Sequence, residues 1–69
     1  MAVEKSIDLT ATGASIEDAV SQAVHRAGHT LRGLTSFEIE RIEGAIEDGE
    51  VEYRVLVRVS FEIKEHVHE

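Results

Sequence analysis

A chain of 69 residues is one small domain, and at this size folding buries only about 60% of the surface that the unfolded chain exposes, so its own core is marginal. There is no cysteine, which removes disulfides and thiolate metal sites as staples and leaves association as the obvious remaining device. A formal charge of −7 with seven scattered basic residues is wrong for tracking nucleic-acid phosphates. No stretch approaches the ~20 apolar residues of a membrane span, and residues 1 to 5 do not resemble a secretion signal. The expectation is a soluble cytoplasmic protein with one domain over residues 1 to 69.

Val3, Ile7 and Leu9 alternate with Glu4, Ser6, Asp8 and Thr10, which predicts a first strand over residues 3 to 11, with Lys5 the exception on its apolar side. Thr12, Gly13 and Ala14 break the alternation, and glycine is read there as the residue that permits a turn. Ser15 followed by Ile16, Glu17 and Asp18 is a helix start: serine caps free amides, and the acids suit the positive end of the helix dipole. Ile16, Ala19, Val20, Ala23, Val24, Ala27 and Leu31 then recur every three or four residues as one apolar stripe. The small alanines let that helix lie close to a sheet. Gly28 is read as another close approach, and Arg32 with Gly33 as the end of the helix, glycine taking the left-handed position.

A second strand is expected from about Thr35. Phe37 and Ile39 share one parity, whereas Ile42 and Ile46 take the other; a β-bulge between Glu40 and Ile42 returns all four to one face. Asp48-Gly49 is a hairpin turn. The stretch from 51 to 63 follows, apolar at every odd position and polar at the even ones except Leu56. At ~3.4 Å per residue it reaches roughly 40 Å, against a diameter near 28 Å for a compact chain of this length. A strand too long for its own protomer predicts an obligate homo-oligomer. Residues 64 to 69 are read as a charged tail. The predicted fold is therefore α+β, in the order β-α-β-β, with a three-stranded antiparallel sheet wrapped around one helix.

In that order and spacing the chain resembles the dodecins. The resemblance spans nearly the whole length, densest at Arg26-Ala27, at Thr30-Leu31-Arg32-Gly33-Leu34, at Phe37-Glu38-Ile39 and at Val57-Arg58-Val59-Ser60-Phe61. It implies a non-catalytic shell of twelve copies that stores or buffers a small ligand, flavin of the riboflavin or FMN type in the best-known branch. That branch stacks the flavin on a tryptophan and holds its edge with a glutamine; the corresponding positions here are Ser36 and Arg54, and the chain has no tryptophan. Parity places Arg54, Leu56 and Arg58 on the outer face of the sheet, so Ser36, Arg54 and Leu56 are the candidate binding residues. An arginine fork can hold carbonyls or phosphate and stack on a ring. The bland alternative pairs Arg54 with Glu38 or Glu40 across the hairpin.

Other chemistry is thinner. Glu38, Glu40, Glu43, Glu47, Asp48, Glu50 and Glu52 crowd the hairpin, and symmetry could gather such carboxylates around calcium or magnesium. One dodecin branch is calcium-associated and also lacks the tryptophan, so a cation-binding or purely structural shell is the competing expectation. His66 and His68 could contribute to a transition-metal site in a tail that otherwise reads as solvated. His25 and His29 are one helical turn apart, a spacing that can hold a divalent metal, but Arg26 and Arg32 add positive charge and no third ligand is evident from the sequence. There is no cysteine nucleophile, glycine-rich phosphate loop or recognisable triad, and the chain reads as not an enzyme.

Overall fold

The computed structural model describes residues 2–64. Four elements run in the order β1 (Ala2–Gly13), α1 (Ile16–Thr30), β2 (Leu34–Glu47) and β3 (Glu50–Lys64). The strands form one antiparallel sheet in the order β1-β3-β2, so the long alternating strand is central and is paired along both sides. Lys64 belongs to β3; the remainder of the charged tail, with His66 and His68, lies outside the described residues.

The sheet accommodates its long strand by leaving the protomer elongated, with extents of 62 × 19 × 12 Å and a radius of gyration of 15.2 Å, where a compact chain of this length would give about 11 Å. Helix α1 covers only part of it. Ala19, Ala23 and Ala27 are buried against Val55, Val57 and Val59, small side chains meeting the β-branched row of the central strand. Leu9, Ala11, Val20, Val24, Leu31 and Leu34 close the margins. The helix-facing apolar residues of β2 are left in the open: Phe37, Ile39, Ile42 and Ile46 are 51, 40, 49 and 77% exposed.

Local signals explain the joins. The Ser15 hydroxyl accepts from the Asp18 amide at 3.0 Å, the cap expected from sequence. Gly13 is not where a left-handed turn is made; a Cβ there would stand 2.9 Å from the Ala19 nitrogen, so glycine is needed for space against the first turn of α1. Nor does Gly28 mark a close approach, since its added Cβ would meet only Leu34 Cδ1 at 3.6 Å.

The helix stops earlier than Arg32-Gly33 suggests. Leu31 is already extended, with φ −116° and ψ 145°, while its amide still donates to the Ala27 carbonyl. Gly33 does take a positive φ of 75°, but in the link to β2, where its carbonyl accepts from the Glu62 amide at 3.0 Å. Asp48 and Gly49 both have positive φ, 51° and 79°, as a two-residue hairpin turn that follows the twist of its strands requires.

Two residues are extra in β2. Ile39 pairs with Val57 and Arg41 with Leu56, which makes Glu40 the bulge expected from the parity change. Leu34 pairs with Phe61 and Ser36 with Ser60, so Thr35 is a second irregularity.

Candidate functional site

The outer face of the sheet, away from α1, carries the polar positions of β3. Register sets each beside one residue of β1 and one of β2: Thr12, Arg54 and Glu43 form one row, Thr10, Leu56 and Arg41 the next, then Asp8, Arg58 and Glu38, and finally Ser6, Ser60 and Ser36. The bulge matters here. Glu40 reaches Arg58, with Glu40 Oε2 3.6 Å from Arg58 Nη1, while its neighbour Arg41 lies beside Leu56. Two consecutive side chains are thereby delivered to one face, which regular alternation would forbid.

Thr10, Arg41, Glu43, Arg54 and Leu56 line an open hollow of about 330 Å³, at the small end of the range for ligand sites. Leu56 supplies its apolar part. Glu43 stands between the two arginines, with Oε2 3.0 Å from Arg41 Nε and Oε1 4.0 Å from Arg54 Nη1. Arg54 therefore pairs with Glu43, not with Glu38 or Glu40 as the simplest hairpin pairing would have it. Two guanidinium groups against one carboxylate leave this spot locally positive on a chain of net charge −7. A planar ligand with carbonyl or phosphate oxygens meets an apolar contact and two donor forks here.

Beside the hollow, Arg58 donates to Asp8 through Nε to Oδ1 at 3.0 Å and through Nη2 to Oδ2 at 3.4 Å. The hydrogen bond donated to Asp8, then the charges of Asp8 and Glu40 and, last, of Glu38, raise the pKa of Arg58 against the opposing effect of desolvation. Its donors are committed to carboxylates, which separates it from the freer Arg41 and Arg54, 70 and 58% exposed.

Of the three residues marked by sequence, the fold brings Arg54 and Leu56 together. Ser36 is elsewhere: it pairs opposite Ser60, six register positions from Arg54, roughly 20 Å along the sheet. Sequence did not single out Arg41 or Thr10, and marked Glu43 only as one of the hairpin acids. The signal for Arg41 was present, because a bulge at Glu40 places the following residue opposite Leu56. Glu43 and Thr10 required the three-strand register, which no single strand contains.

The acidic hairpin forms a separate hollow of about 700 Å³ at the turn, lined in part by Glu47, Asp48, Glu50 and Glu52. Among the described residues no three histidine, aspartate or glutamate side chains of one chain come together as a metal site. No described helix is long and apolar enough to cross a membrane.

Comparison with known proteins agrees with this architecture. The family model described as Dodecin matches residues 3–64. Dodecin of Thermus thermophilus is 40% identical over 65 residues, covering 91% of this chain and 94% of the relative. A crystal structure from Thermus thermophilus superposes with a TM-score of 0.89 at 37% identity, over 96% of this chain and all of the other. Dodecin from Streptomyces coelicolor gives 0.86 at 33% identity, over 94 and 96% of the two chains. A Mycobacterium tuberculosis protein described as a calcium-chelating antigen, calcium dodecin, gives 0.79 at 28% identity, over 97 and 99%.

Proposed function

The chain belongs to the dodecin family, and from that premise we propose that it is a non-catalytic, homododecameric shell binding a planar ligand of the flavin type, riboflavin or FMN, on the outer face of its sheet. The observation that carries the ligand class is the hollow at Leu56, where Arg41 and Arg54 flank an apolar side chain and share one carboxylate. In this reading Leu56 and one guanidinium plane meet the ring face, taking over the contact for which a tryptophan is unavailable, while the other fork and the Thr10 hydroxyl take the polar edge or the phosphate. A flavin bound there would be sequestered by the shell, and no group in the hollow is arranged to transform it.

Assembly is supported by the exposed row of Phe37, Ile39, Ile42 and Ile46, because contiguous apolar residues at this density call for a covering surface. The hollow also opens to solvent on a single protomer, and a neighbouring copy would close it. Ser36 would contribute to the same ligand only from such a neighbour.

A second reading, a shell for divalent cations of the calcium type, is favoured by the carboxylates around the hairpin and by the calcium-chelating relative. It needs ligands from several copies, since the described residues of one chain gather too few. Titration of riboflavin and FMN with protein, followed by flavin fluorescence, separates the two. Quenching at micromolar protein is the expected result. Absence of quenching, with a melting temperature that falls on adding chelator and returns with calcium, replaces the flavin reading by the cation reading.

A further inference from the structure

Helix α1 carries a pair of histidines that neither reading uses. The rings of His25 and His29 have their centres 5.1 Å apart with planes at 69°. Four residues is one turn, so both imidazoles leave the same face. With Gln22 and Arg26 they line a hollow of about 450 Å³ whose opposite wall is formed by Leu9, Thr10, Ala11 and Thr12 of β1.

The separation has chemical content. Ring nitrogens bind zinc at ~2.0–2.1 Å, and two imidazoles on one tetrahedral ion then have ring centres about 5 Å apart. The two rings already stand at that spacing. Gln22 precedes His25 by three residues and lines the same hollow, offering a carbonyl oxygen, with water free to complete the coordination from the open side. Neutral nitrogen donors suit zinc, nickel or copper, whereas calcium and magnesium prefer oxygen throughout. Arg26 also borders the hollow; its charge weakens the site, but it is about 100° around the helix from His25 and need not stand between the rings.

We infer that His25 and His29 chelate a borderline divalent cation, Zn²⁺ or its neighbours Ni²⁺ and Cu²⁺, with Gln22 as third protein donor, on the face of α1 that looks towards β1. The ion clips the C-terminal half of α1 and so stabilises the folded chain by linkage. Thr10 also borders the hollow at Leu56 and Gln22 the acidic hollow at the hairpin, whereas His25 and His29 line neither.

The test is calorimetric titration of Zn²⁺ and Ni²⁺ into the full chain without an affinity tag, in a His66→Ala/His68→Ala background that removes the other histidine pair. One ion per chain at micromolar affinity is expected, undiminished by excess calcium and weakening as pH falls because ligation competes with protons. His25→Ala or His29→Ala should each weaken it about tenfold or more, the loss of one donor from a chelate, with circular dichroism and sedimentation unchanged. Gln22→Ala should have a smaller effect. Affinity retained in both histidine variants, or abolished by His66→Ala/His68→Ala alone, overturns the assignment.

Discussion

Arg58 of β3 and Asp8 of β1 are joined by two hydrogen bonds across the outer face, at 3.0 and 3.4 Å, with Glu40 of the bulge 3.6 Å from the same guanidinium. The group thus links all three strands. Both partners are nearly half exposed, 43 and 45%, so water and salt screen the attraction and the contribution to stability is modest. Arg58→Gln should lower the urea midpoint slightly, with most of the difference disappearing at high salt. The raised pKa of Arg58 means that its contribution is fully present below the ordinary arginine range and lost only above it, so it adds no pH dependence near neutrality. A wild-type minus variant difference that varied between pH 6 and 9 would contradict this.

Gly33 should be intolerant. Its φ of 75° disfavours any side chain, and an added Cβ would lie 2.8 Å from the Glu62 carbonyl oxygen, on the backbone segment whose amide its own carbonyl holds. Neither contact can be relieved by rotating a side chain. Gly33→Ala is expected to cost ~1–3 kcal/mol from backbone strain alone, read as a drop in the urea midpoint.

Gly28 should behave in the opposite way. It lies within α1 with negative φ, and a methyl group there meets only Leu34 Cδ1 at ordinary contact distance, 3.6 Å. Alanine is then the better helix former by up to ~1 kcal/mol. Gly28→Ala should raise the melting temperature, and a fall would reveal an occupant of this helix face beyond the single protomer.

These three positions show how far a sequence reading reaches. Alternation located β3, and the parity change between Ile39 and Ile42 located the bulge, because a buried face forces apolar residues into one register. Leu34 and Phe37 also differ in parity, but one apolar residue beside a helix end is too little to expose the irregularity at Thr35. Gly33 correctly signalled a left-handed residue, but sequence placed it at the end of α1, whereas it lies in the link to β2 after Leu31 has already turned extended. The hollow at Leu56 was half legible: Arg54 follows from parity, while its pairing with Glu43 depends on how far the bulge has shifted β2.

The uncovered row on β2 should govern assembly. Phe37 and Ile39 face the same side as the helix and line a groove with Ile16, Val20 and Val24, so a charge placed there would remain solvated in a lone protomer and be trapped in an association interface. Ile39→Asp should disperse the oligomer in sedimentation velocity. An undisturbed assembly would mean that copies meet through another surface.

Arg54 separates ligand binding from assembly. It lies on the face opposite that row, and removing it leaves the apolar residues of β2 untouched, so Arg54→Ala should weaken flavin binding by about tenfold or more, the scale of one charge-assisted hydrogen bond, while the oligomer sediments unchanged. Dispersal would instead make Arg54 a subunit contact. Glu43→Gln provides the complementary case. Its carboxylate stands 3.0 Å from Arg41 Nε and 4.0 Å from Arg54 Nη1, and neutralising it leaves both guanidinium charges uncompensated for an anionic group with little change of shape. FMN should then bind more tightly relative to riboflavin, since only the phosphate gains from the added positive potential. Equal changes for both ligands would show that the arginines meet the ring and leave the phosphate in solvent.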